Sequence, residues 1–515
     1  MKRGTTPLLN ISLCFNRKDF EYDVYSLIRA FEPGCQIVTW YEGEKEPEQV
    51  DETWEHYQVH YEPDRIFFSI HRGEETVCEE QVPVEYDRDR VHTKNVLKQL
   101  VYRTLSQVTG KQLPWGDLTG IRPTKIPMKL LEEGWKNTEI AEYMRSTYFT
   151  SPQKTALAIT IANRERAILE PINYEKGYSL YVGIPFCPSI CLYCSFGSHV
   201  LSRWEHMVEP YLEALFRELQ FISEQMKDYT LDTVYIGGGT PTTLTPDQMR
   251  RLLTVLSKEF PLDQVQEFTV EAGRPDTITR EILEVLREFP VSRISINPQT
   301  MNQETLDLIG RRHTVKETVE TFHMARELGF DNINMDLIVG LPGEDAVKVA
   351  HTLEEIEKLS PDSLTVHSLA LKRATRLNLM KDQYTEISFE NSAEIMDMAQ
   401  DCARHMGMGP YYMYRQKNIA GNFENVGYSR EGKAGIYNIL IMEEKQSILA
   451  AGAGASTKFV FQNGERIERV ENVKDLKNYV ERIDEMIERK RAGIRKYLRN
   501  DGGCQDGCQK TQQEQ

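Results

Sequence analysis

The chain contains 515 residues, of which 40% are hydrophobic and 27% are charged, and its formal net charge is −16 at pH 7. This length predicts about two to four domains, and the acidic balance argues against a general nucleic-acid binder, because phosphate binding needs a basic surface. No run approaches the ~18 apolar residues that span a bilayer, and the first residues lack the apolar stretch of a signal peptide. We therefore expect a cytoplasmic protein with no membrane span and no nucleic-acid partner.

Residues 1–170 are predicted to form an N-terminal α+β accessory domain. Two strands and a helix are predicted in its first part, at 8–15, 65–70 and 96–110. The segment WGDLTGIRPTK (115–125) is rich in turn residues, and it either lines a substrate opening or caps the domain. Helical segments follow it, and Pro171 and Gly177 then mark a break in the pattern.

Residues 171–370 show short apolar strands alternating with amphipathic helices. Alternation of this kind predicts parallel strands joined by right-handed crossovers. It suits either an open doubly wound sheet or a partial (β/α)6 barrel, and periodicity alone does not separate the two. The six predicted strands are 179–184, 233–237, 267–272, 293–297, 332–340 and 363–369. The predicted helices between them are 208–222, 246–260, 279–289, 303–309, 315–328 and 345–359.

Residues 371–498 follow a different pattern and are predicted to form a C-terminal α+β extension. A helix at 391–407 and one or two charged helices at 473–498 enclose aromatic segments punctuated by glycine. The last residues, 499–515, are polar and rich in Gly and Gln, so we expect them to be disordered.

Three of the nine cysteines lie close together, in IPFCPSICLYCSF. Cys187, Cys191 and Cys194 form a Cys-x3-Cys-x2-Cys array directly after a predicted strand. Thiolates at this spacing cannot share one helix face, and two nearby prolines resist a helix, so a loop must wrap around a bound group. Iron–sulfur clusters usually take four thiolates, so three would leave one iron open for an external ligand. The alternative is a structural zinc site with His199 as the fourth ligand.

A glycine run ends the second strand of the alternating region, at Gly237, Gly238 and Gly239, and Thr240 follows it. Successive glycines let backbone N–H groups approach a ligand closely, although the run alone is more typical of a tight turn. Glu271 ends the third strand, where its carboxylate can accept hydrogen bonds from ribose hydroxyls or simply face solvent.

Three further polar residues belong to the fourth and fifth strands and the segments after them. Gln299 and Arg311 follow the fourth strand, and Arg311 could bind a carboxylate through two parallel hydrogen bonds. Asp336 sits in the apolar stretch NMDLIVGLPG, where an unpaired charge would be costly. Its partner is either a bound ligand or a neighbouring backbone group.

The cysteine spacing resembles the signature of the radical S-adenosylmethionine (SAM) superfamily. The resemblance implies a partial (β/α)6 barrel in which the three cysteines hold a [4Fe–4S] cluster and SAM chelates the open iron. It also implies that the glycine run contacts the methionine end of SAM, and that Glu271, Gln299, Arg311 and Asp336 contact SAM too. Tyr181, six residues before the first cysteine, would pack against the cluster and SAM.

The segments RISINPQT, GRRH, MDLIVGLPG and IPFC–CLYCSF resemble the oxygen-independent coproporphyrinogen III oxidase group, which includes true oxidases and related haem chaperones. The resemblance covers about 178–460, and VEAGRPDTIT and HSLALKRAT are similar to the subgroup named HemZ. The reaction it implies is oxidative decarboxylation of two propionates to vinyl groups, which gives protoporphyrinogen IX in haem biosynthesis. An electron donor such as flavodoxin or ferredoxin is implied as a partner.

The implied tetrapyrrole substrate carries four carboxylates, so an acidic protein needs local cations to bind it. Lys372 and Arg373 follow the last predicted barrel strand, at the start of the extension that we expect to cover the substrate. Arg415 and Lys417 lie in the aromatic run YYMYRQK, which suits a flat macrocycle. Each of the four could equally be a solvated surface charge.

Two positions depart from the pattern of the true oxidases. Those enzymes have a fourth cysteine where this chain has Phe196, and a histidine where it has Gly183. Both departures bear on the oxidase reaction and on binding of a second SAM. The alternatives are therefore a haem chaperone, although only Tyr437-Asn438 stands near the place of the chaperone motif, or a radical SAM enzyme acting on another substrate, such as an RNA.

Overall fold

The computed structural model describes residues 9–86, 88–120, 122–195, 197–370, 391–416, 423–461, 464 and 466–499. They form two compact units. The first contains the described residues of Met1–Asn163 and Tyr414–Glu424, and the second contains those of Arg164–Met413 and Asn425–Gln515. No helix in these described ranges is long and apolar enough to cross a membrane. The domain limits predicted at 170 and 370 stay predictions.

The first unit is built on a five-stranded sheet in the order β2-β1-β3-β4-β5. Its strands are β1 (Asn10–Phe15), β2 (Gln36–Tyr41), β3 (Glu55–Tyr61), β4 (Arg65–Arg72) and β5 (Glu75–Pro83). Its helices are α1 (Glu21–Phe31), α2 (Arg90–Thr109), α3 (Lys125–Glu132), α4 (Asn137–Tyr148) and α5 (Pro152–Leu169), the last of which contributes residues to both units. Apolar side chains of α1 and α2 share one core with those of β1, β3 and β4. The predicted strands at 8–15 and 65–70 and the predicted helix at 96–110 are confirmed as β1, β4 and α2.

The second unit contains an eleven-stranded sheet in the order β14-β15-β13-β12-β11-β10-β9-β6-β16-β17-β18. Its first strands are β6 (Gly177–Ile184), β9 (Thr230–Gly238), β10 (Glu267–Gly273), β11 (Arg293–Ile296), β12 (Ile333–Val339) and β13 (Ser363–Ser368). The later strands are β14 (Gly409–Tyr414), β15 (Asn425–Ser429), β16 (Ser447–Ala451), β17 (Ser456–Phe461) and β18 (Arg466–Glu471). Two short strands, β7 (Phe186–Cys187) and β8 (His199–Val200), pair separately in parallel.

The helices of this unit lie close to the predicted segments, except for Leu201–Trp204 and Ile436–Glu443, which were not predicted. They are α6 (Leu201–Trp204), α7 (Val208–Gln225), α8 (Pro246–Glu259), α9 (Arg280–Arg287), α10 (Gln303–Leu308), α11 (Val315–Glu327), α12 (Ala346–Leu359), α13 (Ala393–His405), α14 (Ile436–Glu443), α15 (Leu476–Glu481) and α16 (Ile483–Ile494). Capping boxes at Thr245 and Thr314 start α8 and α11, because each threonine side chain binds the N–H of the third helical residue. The charged stretch at 473–498 contains two α-helices, α15 and α16.

The order of the six predicted strands bears on the two architectures that the sequence left open. The strands β6, β9, β10, β11, β12 and β13 lie side by side in chain order and pair in parallel. A doubly wound sheet reverses its strand order at a switch point, and these six strands show no such reversal. The molecule is a mixed α/β protein whose large sheet extends beyond six strands, since β16 joins β6 in parallel while β15 joins β13 antiparallel. The curvature of a barrel stays a prediction.

Candidate cofactor site

The residues predicted to bind cofactors lie in or after successive parallel strands of the second unit. The cysteine loop follows β6, the glycine run ends β9, Glu271 belongs to β10, Gln299 follows β11 and Asp336 belongs to β12. Parallel strands present their carboxyl ends at one edge of a sheet, which is where α/β proteins bind ligands. Residues separated by more than a hundred positions in the sequence are thus brought to a common edge.

The glycine run is hydrogen-bonded to the backbone at the start of the cysteine loop. The N–H of Gly239 donates to the carbonyl oxygen of Ile184 and that of Thr240 to the carbonyl oxygen of Phe186, both at 2.7 Å. A Cβ atom on Gly239 would lie 2.5 Å from the Phe186 oxygen, so only glycine permits this approach. The Thr240 hydroxyl lies 3.5 Å from Sγ of Cys187. These two N–H groups are used within the protein, so a ligand would have to contact other atoms of the run.

A short strand pair joins the two ends of the cysteine loop, and a backbone hydrogen bond forms a turn inside it. Strands β7 and β8 pair Cys187 with Val200, which joins the two ends of the loop. Within it, the N–H of Cys194 donates to the carbonyl oxygen of Cys191 at 3.1 Å. Cys187 and Cys191 are buried and Cys194 is half-buried. Burial raises the pKa of the Cys187 thiol, and the negative charge of Cys191 adds to that effect, while hydrogen bonds from Thr240 and Ser198 oppose it. The loop is therefore fixed in shape by backbone contacts before any ligand is considered.

The zinc alternative gains no support from the position of His199. Its ring packs edge-on against Trp204 with 5.0 Å between ring centroids, and burial lowers its pKa. Among the described residues, no group of three or more His, Cys, Asp and Glu side chains is placed to hold a metal ion. A zinc site would need His199 grouped with the three cysteines, and the described residues show no such grouping, whereas a cluster with one open iron needs only the three thiolates.

An arginine that the sequence analysis did not single out holds the cysteine loop. Arg274, the residue after β10, donates from Nη1 to the Ser189 carbonyl oxygen at 3.2 Å and to its hydroxyl at 2.8 Å. The same Nη1 lies 3.9 Å from Sγ of Cys191. The other edge of the guanidinium binds both carboxylate oxygens of Asp276, at 2.9 and 2.7 Å. The signal in the sequence was a basic residue directly after the third strand.

Arg311 lies beside the cysteine loop but is held by backbone groups. Its Nη1 donates to the carbonyl oxygen of Asn297 and, at 3.5 Å, to that of Pro298. Arg311 also hydrogen-bonds Cys191, whose negative charge, with that of Tyr193, offsets burial and raises the arginine pKa. Its buried Nε has no partner among the described residues. The Arg311 side chain therefore retains a donor for a ligand.

Gln299 has a strained backbone and an unsatisfied side chain. Its φ of 69° lies in the left-handed region, which non-glycine residues adopt rarely and often at functional sites. The backbone is held there by β12, because the Gln299 N–H donates to the Asp336 carbonyl oxygen at 3.0 Å and its own oxygen accepts from Ile338 at 2.9 Å. The buried oxygens Oε1 of Gln299 and Oδ1 of Asn297 lack partners among the described residues. Buried polar atoms are rarely left unpaired, so this edge fits a hydrogen-bonding ligand such as SAM.

Glu271 lies beside the glycine run. A Cβ atom on Gly237 would come within 2.8 Å of its Oε2, so the run leaves space for the carboxylate. Burial and the negative charge of Asp336 raise the pKa of Glu271 to about 8, although hydrogen bonds from Gly238 and Tyr235 lower it in part. Near pH 7 the carboxyl is therefore largely protonated and can donate a hydrogen bond as well as accept one.

Asp336 has protein side chains as partners. Asn334 donates to its Oδ1 at 2.7 Å, and Nε2 of His367 lies 3.7 Å from its Oδ2. Burial would raise the pKa of Asp336, but hydrogen bonds from His367, Asn334 and Thr365 hold it below its ordinary value. The partners of Asp336 in the structure are therefore side chains, which were not expected from the sequence, and a contact with SAM stays a prediction.

Three tyrosines stack beside these groups. Ring centroids of Tyr181 and Tyr235 lie 6.3 Å apart, and those of Tyr235 and Tyr437 lie 4.6 Å apart, with nearly parallel planes. Tyr437 is held in place because the buried carboxylate of Glu267 accepts the N–H of Ile436 at 2.5 Å, at the start of α14. From the sequence, only Tyr181 was expected in this role. The other two could not be found from spacing, because they lie on β9 and α14.

The family model of the radical SAM superfamily matches residues 181–356. The chain is 43% identical over 401 residues to the oxygen-independent coproporphyrinogen-III oxidase-like protein HemZ of Bacillus subtilis, covering 77% of this chain and 80% of HemZ. The chain belongs to the radical SAM superfamily. Within that superfamily it belongs to the HemZ group, and membership implies a [4Fe–4S] cluster and SAM as cofactors.

Two further similarities extend the comparison of this radical SAM protein. The haem chaperone HemW of Bacillus subtilis is 31% identical over 310 residues, which cover 60% of this chain and 76% of HemW. The solved structure of coproporphyrinogen III oxidase (HemN) from Escherichia coli, a radical SAM enzyme, is similar with a TM-score of 0.49 and 25% identity. That similarity covers 62% of this chain and 73% of HemN.

Of the four residues predicted to bind substrate, the structure describes one, Arg415. Lys372, Arg373 and Lys417 lie outside the described residues, as does Phe196. Arg415 belongs to the first unit, where its Nη1 donates to the Leu118 carbonyl oxygen at 2.5 Å. Arg415 is buried and lies 5.9 Å from the Trp115 ring, so it is not a solvated surface charge. Its contact with substrate stays a prediction.

Proposed function

We propose that the protein is an oxygen-independent coproporphyrinogen III dehydrogenase of haem biosynthesis, acting in the cytoplasm. The observation that carries this proposal is the 43% identity to the oxidase-like HemZ over 77% of the chain. The proposed reaction decarboxylates two propionates of coproporphyrinogen III to vinyl groups. For each one, a hydrogen atom leaves the β-carbon, followed by carbon dioxide and one electron, and the electron passes to an acceptor outside this chain.

We assign the ligands of the [4Fe–4S] cluster to Cys187, Cys191 and Cys194. When bound, the cluster and SAM would supply one electron and a deoxyadenosyl radical for hydrogen abstraction. An electron donor such as flavodoxin or ferredoxin would be needed as a partner. The protein's part is to orient these groups and to keep water out, and the burial of Cys187 and Cys191 supports this assignment.

The unpartnered polar atoms support a binding role for the edge beyond β11. We propose that Arg311 binds the SAM carboxylate and that Gln299 and the glycine run with Thr240 contact its polar atoms. Glu271 is assigned to the ribose hydroxyls, since a largely neutral carboxyl can exchange hydrogen bonds with them in both directions. The stacked ring of Tyr181 would cover the ligand, and Asp336 would contact it beside His367.

The proposed substrate carries four carboxylates while the chain has a net charge of −16. Long-range repulsion makes local cations necessary, and we propose Lys372, Arg373, Arg415 and Lys417 for this role. The acidic balance also disfavours an RNA substrate, because RNA binding depends on basic surface.

An anaerobic assay tests the proposal. The full chain would be reconstituted with iron and sulfide and supplied with reductant, SAM and coproporphyrinogen III, and the porphyrins would be followed by mass spectrometry. Stepwise loss of two carboxyl groups is expected, and Cys191→Ala should abolish it. Cys402→Ala is the matched control, because Cys402 is a buried cysteine outside the loop and should leave activity unchanged. Deoxyadenosine formed while coproporphyrinogen stays intact would contradict the proposed substrate.

A haem chaperone is the second candidate, and its support is the 31% identity to HemW. The pair near the place of the chaperone motif packs inside the second unit, since Tyr437 is buried against Tyr235 and Asn438 lies 3.5 Å from the Tyr411 hydroxyl. This packing disfavours a haem ligand there. Stoichiometric haem binding, titrated by absorbance, together with no decarboxylation would favour the chaperone.

A further inference from the structure

Arg274 is a buried charge, and the two edges of its guanidinium contact different groups. Only 3% of the residue is exposed. One edge of its guanidinium is paired with both oxygens of Asp276, and Nη1 on the other side reaches Ser189 and lies 3.9 Å from Sγ of Cys191. A guanidinium keeps its charge at any physiological pH. A permanent positive charge is therefore held against one of the three cysteines of the loop.

The electrostatic effect of such a charge on an iron–sulfur cluster has a definite sign. Reduction adds one negative charge to the cluster, and hydrogen bonds to cysteine sulfur and nearby cations stabilise the more negative state. Burial leaves little water to screen the interaction. Asp276 opposes it, because its carboxylate offsets part of the arginine charge. The two residues thus act on the same sulfur with opposite signs.

We infer that Arg274 is a positioning residue that raises the reduction potential of the cluster through Cys191, and that Asp276 sets how much of its charge is felt there. This inference rests on the proposed function, since it takes Cys191 as a cluster ligand. It goes beyond that function, because it identifies the groups that determine how readily the cluster accepts its electron.

The competing explanation is that Arg274 only anchors the loop through Ser189. If Arg274 only anchors the loop, removing either Arg274 or Asp276 would loosen the loop and lower the cluster content. Neither removal would then shift the midpoint potential in a defined direction. If Arg274 acts electrostatically, the two removals shift the midpoint potential in opposite directions. The midpoint potential therefore separates the two explanations, whereas activity does not.

The test is a potentiometric titration of the reconstituted full chain, followed by electron paramagnetic resonance, without SAM or substrate. Arg274→Gln should lower the midpoint potential and Asp276→Asn should raise it. Each change is expected to alter the ratio of reduced to oxidised cluster at a fixed potential by at least about tenfold, which is 59 mV for a one-electron couple. Arg274→Lys keeps the charge and should stay close to wild type. Ser189→Ala, which removes the anchoring hydroxyl alone, should cause no shift.

The outcomes distinguish the inference from the function on which it rests. A wild-type chain that takes up no [4Fe–4S] cluster, judged by iron, sulfide and absorbance, overturns the proposed function. A loaded wild type in which Arg274→Gln and Asp276→Asn shift the potential in the same direction, or not at all, overturns the inference alone. If the Arg274→Gln variant takes up no cluster, the direction in which Asp276→Asn shifts the midpoint potential tests the inference.

Discussion

The N–H of Gly239 donates a hydrogen bond of 2.7 Å to the carbonyl oxygen of Ile184, just before the cysteine loop begins. The end of β9 is thereby attached to the end of β6, and the next residue, Thr240, reaches Cys187. The shape of the cysteine loop thus depends on a glycine more than fifty positions away in the sequence.

Gly239→Ala should displace the cysteine loop. The added Cβ would lie 2.5 Å from the Phe186 oxygen and 2.9 Å from the Ile184 oxygen, and both are backbone atoms that cannot turn aside. We expect strain of about 1–3 kcal/mol and a lower iron and sulfide content after reconstitution. Gly197→Ala in the same loop is the control, because nothing lies within 4 Å of its Cβ position. Equal iron contents in the two variants would contradict the role of the close approach.

Glu271→Gln should flatten the dependence of stability on pH. The pKa of Glu271 is raised from 4.5 to about 8, so the folded state binds more protons than the unfolded state between these values. Its contribution is present below pH 4.5 and is lost as the pH rises through 8, with a slope of at most about 1.4 kcal/mol per pH unit.

The thermal midpoint of the apoprotein between pH 5 and 8.5 measures this slope. Glu284→Gln, on the exposed face of α9, should leave the profile as it is in the wild type. A Glu271→Gln profile as steep as that of the wild type would show that another group produces the dependence.

Lys490→Met should destabilise the second unit strongly. Lys490 and Glu218 are fully buried and form an ion pair of 2.8 Å. Glu218 also accepts hydrogen bonds from Asn472, Tyr479 and the N–H of Gly452. Loss of the lysine leaves an uncompensated buried charge, so we expect a loss of about 3–5 kcal/mol in the free energy of unfolding by urea.

Two comparisons test that assignment. Adding Glu218→Gln to Lys490→Met should recover part of the loss, because the unpaired charge is removed. Lys477→Met breaks an exposed ion pair of 3.7 Å with Glu481 and should cost less than about 1 kcal/mol. Similar losses for Lys477→Met and Lys490→Met would argue against the buried pair.

Trp115→Phe should destabilise the first unit. The Trp115 indole N–H donates to the buried carboxylate of Glu424 at 2.7 Å, and phenylalanine has no donor. Leaving this acceptor short of a partner should cost about 1–3 kcal/mol, measured by thermal unfolding. Trp135, which is 39% exposed, provides the control, since Trp135→Phe should change stability by less than about 0.5 kcal/mol.

Most strands and helices from β6 to β13 could be predicted because they carry local signals, whereas the short elements β7, β8 and α6 were not predicted. The strands are buried apolar runs, and α8 and α11 begin with capping boxes at Thr245 and Thr314. The first unit was harder, since β5 is largely exposed and polar, and so lacks the alternation that marks a strand. Nothing in the sequence of β16 (SILAA) indicates that it pairs with the distant strand β6.

The candidate site was predictable where residue type and spacing along one segment carry the chemistry, as in the cysteine loop. It was not predictable where contacts join different segments. The contact of Arg274 with Cys191 and the stacking of Tyr437 on Tyr235 are of this kind. The unpaired oxygen of Gln299 depends on its backbone conformation, which a single sequence does not reveal.

The pairing of β6 with β16 has a consequence for synthesis on the ribosome. The strand that leads into the cysteine loop lies between β9 and β16, and β16 emerges only after every other strand of the parallel series. Until then one edge of β6 offers unpaired N–H and C=O groups to any neighbouring chain. Domains tend to fold as units while they are synthesised, and long-range pairing is slow. A nascent chain stalled before Ser447 should therefore be prone to aggregation, and cluster insertion should follow release of the completed chain.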